Sequence, residues 1–170
     1  SRFSRMDAPT IAGVNGTAAG AGFSIAISAD FVISAKSSKF VMAYTNAGLS
    51  PDGSSTYFLP RRIGDRRARE LMLTNRVLSA DEALDWGLIN KVVDGKDLAE
   101  ITKELANKFA NGPTLAYGKV KSLLNASFDN GLETQMELET RNISDMARSS
   151  DGKEGILAFL NKRKPDFKGK

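Results

Sequence analysis

Residues 10–22 read TIAGVNGTAAGAG and carry the strongest structural signal in the chain. The apolar residues 10–14 are typical of a short buried strand, which an Asn-Gly turn signal at residues 15–16 ends. Small residues fill positions 17–22, and residues 23–29 read FSIAISA. Their alanines, and the glycines just before them, favour a helix packed closely on a sheet. The stretch therefore predicts a strand, a small-residue turn and a helix in succession.

The small-residue turn suits a ligand that carries or develops negative charge. Small residues let a backbone approach a ligand closely, and a helix N-terminus presents free N–H groups at the positive end of its dipole. Together they can hold an anion, or an oxygen that becomes anionic in a transition state. A tight turn without a ligand is the alternative interpretation. The turn lacks the third glycine of a dinucleotide-binding fingerprint and the Gly-Lys-Ser/Thr of a phosphate-binding loop.

A second segment offers a single carboxylate. Residues 48–56 read GLSPDGSST, so Asp52 is the one acidic residue in a loop of small and apolar residues. If this loop is dry, removal from water makes the carboxylate a better proton shuttle. The alternative is that Asp52 is only a turn residue, because Pro-Asp-Gly is a common turn sequence.

The rest of the chain divides into a mixed part and a helical part. Strands are predicted near residues 31–33, 39–42 and 88–93, with a helix over residues 66–73 and a short helix opened by a Ser-Ala-Asp-Glu capping box. From about residue 97 the pattern predicts four helices in succession. These helices carry apolar residues on two faces, which indicates packing against another subunit. Alternatively, the helices only cover the core of their own chain.

Composition excludes several classes of chemistry. The 170 residues carry a net charge of +4 and contain neither cysteine nor histidine. Disulfides, thiolate nucleophiles and histidine-based metal sites or triads are therefore excluded, and we expect no metal. No apolar run reaches the length of a bilayer span, and the basic C-terminal end lacks the broad aromatic-studded face of a nucleic-acid binder. We expect neither a membrane nor a nucleic-acid partner. The sequence does not begin with Met, so we also expect an upstream part to be absent.

Seven segments, in this order and spacing, resemble the crotonase superfamily, the enoyl-CoA hydratase/isomerase family. Each motif is weak alone, but together they run in register across essentially the whole chain. They are APTIAGVNG with AAGAG at residues 8–22, ADFVISA at 29–35, KF at 39–40, GLSP at 48–51, LPRRIG at 59–64, SADEA with GLI at 79–89, and FLNKRKP at 159–165.

The resemblance implies an α/β architecture with a spiral of ββα units. Residues 1–107 are expected to form the C-terminal portion of this spiral core, whose N-terminal part is missing. Residues 108–170 are expected to form a helical trimerisation region that also caps the active site. The implied assembly is a homotrimer or a dimer of trimers, in the cytoplasm. The implied substrate is an acyl-CoA, with no cofactor beyond the coenzyme A that the substrate carries.

The resemblance also implies an oxyanion hole in which two backbone N–H groups hold the thioester carbonyl. One of these N–H groups matches Ala21, and the other lies in an upstream segment. Alanine replaces the usual glycine at position 21, which is tolerable only if φ is negative there. Catalysis is thus assigned to the Ala21 amide together with an acidic side chain.

The number and position of the acidic residues distinguish the hydratases of this family from its isomerases. Family hydratases add water with two glutamates, which would fall at Ser24 and Tyr44, so simple hydration is disfavoured here. Family isomerases often keep a single acid slightly further along, at the position of Asp52. One carboxylate suffices for a 1,3 proton shift.

Further residues are implied to contact the substrate. Phe159 either lines the acyl pocket or belongs to the core, and the core is favoured. Lys162 either reaches a CoA phosphate or is an exposed lysine at a helix end, favourable to the helix dipole. The full substrate-binding set is Gly20, Gly22, Tyr44, Leu49, Pro51, Phe159 and Lys162.

The leading hypothesis is an enoyl-CoA isomerase, with ring-derived acyl-CoAs among its candidate substrates. The alternatives are an enoyl-CoA hydratase, another family reaction such as dehalogenation or a ring-closing synthesis, and a non-catalytic acyl-CoA-binding subunit.

Overall fold

The computed structural model describes residues 2–170, which form six strands, eight α-helices and two short 3₁₀ helices. The strands are β1 (Ile11–Val14), β2 (Thr17–Ala19), β3 (Phe31–Ala35), β4 (Lys39–Val41), β5 (Leu78–Ser79) and β6 (Lys91–Val93). The helices are α1 (Ala21–Ser28), α2 (Ser55–Ile63), α3 (Asp65–Thr74), α4 (Ala80–Asp85), α5 (Leu98–Ala110), α6 (Thr114–Ala126), α7 (Leu132–Arg148) and α8 (Ser150–Leu160).

The six strands form two three-stranded sheets. One sheet has the order β1-β3-β6 and is parallel throughout, with Ile11 opposite Phe31 and Ile33 opposite Lys91. The other has the order β2-β4-β5, in which β2 and β4 are parallel and β5 is antiparallel to β4. Strands β1 and β2 precede α1, strands β3 and β4 precede α2, and the two strands of each pair lie in different sheets. This is the predicted spiral of ββα units.

The spiral encloses one cluster of buried apolar side chains. Phe23 from α1 and Phe40 from β4 are fully buried, with ring centroids 5.5 Å apart and planes tilted by 54°. Tilted aromatic pairs at this separation contribute about 0.5–1.5 kcal/mol beyond their area burial. Helix α1 thus packs closely on the sheet, as its alanines and the preceding glycines predict.

The predicted capping box is present at the start of α4. The Ser79 hydroxyl accepts a hydrogen bond from the Glu82 amide at 3.3 Å, and the Glu82 carboxylate accepts one from the Ser79 amide at 3.1 Å. These reciprocal bonds satisfy two N–H groups at the helix start. The pattern is local, so four consecutive residues were enough to predict it.

Three of these strands and α-helices were not predicted: strand β2, helix α2, and strand β5, which is two residues long and pairs with β4. Strand β2 lies in the small-residue turn and exists through its pairing with β4. Helix α2 lies where the sequence indicated loop up to Thr56, and it contains Pro60. Proline removes a helix hydrogen bond and usually marks a helix start or a break. The helix nevertheless buries Leu59 and Ile63 in the core, so tertiary packing outweighs the local signal.

The described chain forms two compact units. The first comprises Thr10–Glu104 with the described residues up to Ser4, and it contains both sheets. The second comprises Arg5–Pro9 and Leu105–Lys170, and it contains helices α6, α7 and α8.

Helices of the second unit leave many apolar side chains exposed. Phe159 is 83% exposed, so the expectation that it belongs to the core is wrong for this chain. None of the helices within residues 2–170 is long and apolar enough to cross a membrane. The exposed apolar residues of this unit are Leu115, Val120, Leu124, Phe128, Leu132, Met136, Ile143, Ile156, Leu157, Phe159 and Leu160.

The C-terminal segment is held on α8 by two acidic side chains. Asp151, only 4% exposed, accepts hydrogen bonds from the amides of Lys168 at 2.7 Å and Gly169 at 2.8 Å. Glu154 accepts two hydrogen bonds from the Arg163 guanidinium, at 2.6 and 2.8 Å. Hydrogen bonding to Arg163 lowers the pKa of Glu154 to about 2.

Candidate active site

The site begins at the N-terminus of α1. Gly20 precedes the helix with φ of 51°, a conformation that favours glycine, and its amide donates to the Val41 carbonyl at 3.0 Å. Ala21 is the first helical residue and is not among the described residues with positive φ. The condition for alanine at this position is therefore met, and the chain enters α1 without strain.

The first amides of α1 are free to bind a ligand. Among the described residues, no atom accepts a hydrogen bond from the N–H of Ala21 or Gly22. The first N–H groups of a helix have no partner within the helix, and they lie at the positive end of its dipole. Such amides stabilise an oxygen that gains negative charge.

Tyr44 is placed beside this helix end by a strained turn. The Tyr44 amide donates to the Met42 carbonyl at 2.8 Å across Ala43, whose φ is 59°. Such three-residue turns with positive φ are rare and strained. The Tyr44 ring lies against Gly20, because a Cβ atom added to Gly20 would be 3.7 Å from its Cζ atom.

The Tyr44 hydroxyl connects the helix to the predicted acid. It donates a hydrogen bond to Oδ1 of Asp52 at 2.5 Å and lies 3.2 Å from Oγ of Ser24. Ser24 is fully buried, and its hydroxyl also reaches the Gly20 carbonyl at 3.2 Å. A phenol–carboxylate distance of 2.5 Å is within the range of charge-assisted hydrogen bonds.

The loop that carries Asp52 is seated on the first turn of α1. A Cβ atom added to Gly53 would lie 2.8 Å from the Cβ of Ser24, so only glycine allows this approach. The Asp52 carbonyl accepts hydrogen bonds from the hydroxyl and amide of Ser55, at 2.9 and 3.2 Å. These contacts fix the backbone of Asp52 and of the residues directly after it.

A second anchor holds the segment after Tyr44. The Asn75 side-chain amide donates to Oδ1 of Asn46 at 3.0 Å and to the Thr45 hydroxyl. That hydroxyl donates to the Met72 carbonyl of α3 at 3.2 Å. The loop between Tyr44 and Asp52 is thus tied to α3 as well as to α1.

The surroundings of the acid differ from the expectation. Asp52 is exposed in this chain, so the prediction of a carboxylate in a dry pocket is wrong for the described residues alone. Tyr44 is partly buried, and this burial raises its pKa above 10.0, with the hydrogen bond to Asp52 as the second cause. The phenol therefore stays protonated at neutral pH and remains a donor.

The structure brings together part of the predicted substrate-binding set. Gly20, Gly22 and Tyr44 lie around the start of α1, as described above. The Leu49 amide donates to the Tyr44 carbonyl at 3.0 Å, and its side chain is exposed, whereas Pro51 is partly buried. The remaining two predicted residues belong to the second unit and are both exposed: Phe159 and Lys162, the latter with φ of 52° just after α8.

Sequence reasoning missed the contacts that join these parts. Ser24 was noted only as a replacement for a glutamate, and Tyr44 as a second replacement and as a substrate contact, although their hydroxyls lie 3.2 Å apart and lead to Asp52. Gly53 was read as part of a turn, although it makes room for Ser24. The available signal was a glycine directly after the single acid, next to a run of hydroxyl residues. No group of three or more acidic side chains within residues 2–170 is arranged to hold a metal ion.

Comparisons with known proteins extend over the whole chain. The model of the enoyl-CoA hydratase/isomerase family matches residues 1–170. A curated relative, 1,2-epoxyphenylacetyl-CoA isomerase of Escherichia coli K12, is 44% identical over 169 residues. That alignment covers 99% of this chain and 64% of the relative, so the chain spans less than two thirds of the relative's length.

Solved structures agree with the sequence match. The enoyl-CoA hydratase of Polaromonas sp. JS666 has a TM-score of 0.94 and 36% identity, covering 98% of this chain and 65% of that chain. The enoyl-CoA hydratase of Bacillus anthracis has a TM-score of 0.93 and 33% identity, covering 99% and 65%. The ββα spiral and the helical C-terminal part are therefore confirmed as the crotonase fold, and this chain belongs to the enoyl-CoA hydratase/isomerase family.

Proposed function

We propose that this chain belongs to an enzyme that moves a carbon–carbon double bond within an acyl-CoA through a thioester enolate. The observation that carries the proposal is the Asp52 carboxylate, held at 2.5 Å by the hydroxyl of Tyr44, whose ring lies against Gly20 just before the free amides of α1. One base and one anion-stabilising donor are the minimum for such a reaction. Family membership supports an acyl-CoA as the substrate.

The reaction is a proton transfer between two carbons of the substrate. Asp52 removes a proton from C2 of a 3-enoyl-CoA, and the electrons of that C–H bond form the enolate of the thioester. The Ala21 amide, with a second donor, stabilises the negative oxygen. The protonated Asp52 then returns its proton to C4, the double bond moves to C2–C3, and the carboxylate is regenerated. No other reactant is consumed.

The same residues disfavour hydration. Adding water requires groups that hold and deprotonate the water while another group protonates the carbon. The two glutamate positions of family hydratases carry Ser24 and Tyr44 here, and both hydroxyls are engaged with each other. Neither is acidic or basic at neutral pH.

The substrate is proposed to complete the site. Because Asp52 is exposed, the bound acyl group has to exclude water from the carboxylate. Leu49, Pro51 and Phe159 are proposed to contact the acyl group, and Lys162 a CoA phosphate. The exposed apolar side chains of the second unit support assembly into a homotrimer or a dimer of trimers. A cytoplasmic location stays a prediction.

Turnover of two substrates by the protein expressed from its complete natural reading frame tests the proposal. We expect conversion of 3-hexenoyl-CoA to 2-hexenoyl-CoA, and loss of this activity in Asp52→Asn by at least about a hundredfold. Hydration of 2-hexenoyl-CoA should be slow in both proteins. Efficient hydration that survives Asp52→Asn would contradict the proposal.

A ring-containing acyl-CoA is a second candidate substrate. The observation that favours it is the 44% identity to a protein named 1,2-epoxyphenylacetyl-CoA isomerase. Isomerisation of 1,2-epoxyphenylacetyl-CoA, followed by the change in its ultraviolet spectrum, separates the two candidates. Turnover of this compound at more than ten times the rate of 3-hexenoyl-CoA would assign the ring substrate.

A further inference from the structure

Three side chains form a continuous hydrogen-bonded line from a buried helix position to the proposed base. Ser24 on α1 is fully buried, Tyr44 is partly buried, and Asp52 is exposed. Their oxygens are separated by 3.2 Å between Ser24 and Tyr44 and by 2.5 Å between Tyr44 and Asp52. These hydrogen bonds connect the buried Ser24 of α1 to the carboxylate of Asp52.

The number of protons on these oxygens determines which group donates in each hydrogen bond. An ionised carboxylate only accepts hydrogen bonds, so the proton of the shorter bond belongs to Tyr44. With its proton directed at Asp52, the Tyr44 oxygen faces Ser24 with a lone pair. The Ser24 hydroxyl can then donate either to Tyr44 or to the Gly20 carbonyl at 3.2 Å.

The two carboxylate oxygens of Asp52 are not equivalent. Oδ1 accepts from Tyr44, whereas no donor within the described residues is hydrogen-bonded to Oδ2. A hydrogen bond from Tyr44 restricts rotation of the carboxylate about its Cβ–Cγ bond. The unpaired oxygen is therefore presented in a defined direction.

We propose that Tyr44 is a positioning residue that holds Oδ1 of Asp52 so that Oδ2 is the oxygen that moves the proton. The inference rests on the proposed isomerase function and goes beyond it, because it assigns a role to the hydroxyls at the two former glutamate positions. Ser24 orients Tyr44 in turn. Positioning of a base within a fraction of an ångström strongly affects proton transfer.

Tyr44 is suited to this role and not to that of a base. Burial raises the pKa of its phenol, and the hydrogen bond to Asp52 acts in the same direction. The phenol therefore keeps its proton over the working range of the enzyme. Its place beside Gly20 is set by the turn at Ala43, so the ring does not depend on substrate for its position.

Steady-state kinetics of five variants, made in the protein expressed from its complete natural reading frame, tests the inference. The substrate is whichever of 3-hexenoyl-CoA and 1,2-epoxyphenylacetyl-CoA the natural protein converts. We expect Tyr44→Phe to lower kcat about ten- to a hundredfold, as for loss of a hydrogen bond to a charged group. KM should stay within about twofold, because the ring and its packing remain. Ser24→Ala should lower kcat about two- to fivefold.

The other three variants provide the controls. Asp52→Asn defines the rate without the base, and Tyr44→Phe added to Asp52→Asn should cause no further loss, because the two residues act as a unit. Tyr117→Phe, in the second unit, removes a phenol hydroxyl elsewhere and should leave kcat and KM unchanged. Loss of activity in Asp52→Asn with full activity in Tyr44→Phe overturns the positioning role but leaves the proposed function intact. Full activity in Asp52→Asn overturns the proposed function.

A spectroscopic measurement tests the contact without substrate. Tyrosinate absorbance is titrated in the natural protein, in Asp52→Asn and in Tyr44→Phe, and the difference isolates the ionisation of Tyr44. We expect Asp52→Asn to move this ionisation to lower pH, toward 10.0, because one cause of the raised pKa is removed. An unchanged ionisation in Asp52→Asn would show that the two side chains are not in contact and would overturn the inference.

Discussion

Gly53 lies directly against Ser24: a Cβ atom at position 53 would be only 2.8 Å from the Cβ of Ser24. The acid-bearing loop and the first turn of α1 therefore meet at a point where no other residue fits. The position of Asp52 depends on this contact as much as on its own hydrogen bond. Replacing Gly53 and a second glycine of positive φ by alanine can separate two losses of stability. One comes from the backbone conformation, and the other from the steric clash with Ser24.

Gly53→Ala should destabilise the protein more than Gly87→Ala does. Both glycines have positive φ, 61° and 73°, so alanine costs about 1–2 kcal/mol at either position. Gly87 has no neighbour within 4 Å of an added Cβ, whereas Gly53 meets Ser24 and should cost about 1–3 kcal/mol more. Urea unfolding measures both. Equal losses of stability would show that the loop is not packed on α1.

Ala43→Gly should stabilise the protein by up to about 1 kcal/mol. Ala43 has φ of 59°, and glycine adopts this conformation without the Cβ penalty, although it also gains entropy in the unfolded chain. The matched control is Ala106→Gly, at an exposed position within α5, which should destabilise by about 1 kcal/mol. Thermal unfolding of the two variants should therefore shift in opposite directions. A destabilised Ala43→Gly would argue against the strained turn.

Asp151→Asn should release the C-terminal segment. Each carboxylate oxygen of Asp151 accepts one backbone hydrogen bond, and asparagine has only one acceptor oxygen. We expect a loss of about 1–3 kcal/mol, and faster hydrogen exchange at the amides of Lys168 and Gly169. Asp145→Asn, at an exposed position in α7, is the control and should leave that exchange unchanged. Slow exchange in both variants would contradict the role of Asp151.

The Glu154–Arg163 contact should make the C-terminal segment sensitive to acid. The pKa of Glu154 is lowered from 4.5 to about 2 by hydrogen bonding to Arg163, so its contribution to stability is complete above 4.5. This contribution is lost as the pH falls from 4.5 through about 2. Carbon-13 NMR of the Glu154 carboxylate should titrate near the lower value. In Glu154→Gln the same pH interval should no longer change the protection factor of the Asp166 amide, which donates to Glu154 at 2.9 Å in the natural protein.

Local patterns carried the successful part of the sequence interpretation. The capping box at Ser79 and Glu82 depends on four consecutive residues, and the predicted negative φ of Ala21 follows from the steric limits of alanine. The positions of strand β1 and helix α1 are also indicated by adjacent residues, although the small-residue segment between them contains strand β2. The cap and the φ of Ala21 could be predicted because no distant residue is needed to form them.

The parts that were missed depend on residues distant in sequence or on a local conflict. Strand β2 exists because β4 pairs with it, and helix α2 overrides Pro60 because Leu59 is buried. The contact between Tyr44 and Asp52 requires both the turn at Ala43 and the approach that Gly53 allows. Neither the turn at Ala43 nor the close approach at Gly53 can be recognised from sequence, because many exposed turns have a similar composition. The exposed acid was mispredicted because solvent access is set by the assembled structure.

The proposed oxyanion donor at position 21 is a main-chain amide, which has a consequence for how this site tolerates mutation. Nineteen of the twenty amino acids carry the same N–H group, so replacing the methyl side chain does not delete the donor. Proline alone would abolish it, while leaving the first turn of a helix sterically acceptable. Ala21→Pro is therefore the substitution that removes only the amide hydrogen-bond donor from the site. Alanine in place of glycine is a neutral change as long as φ stays negative.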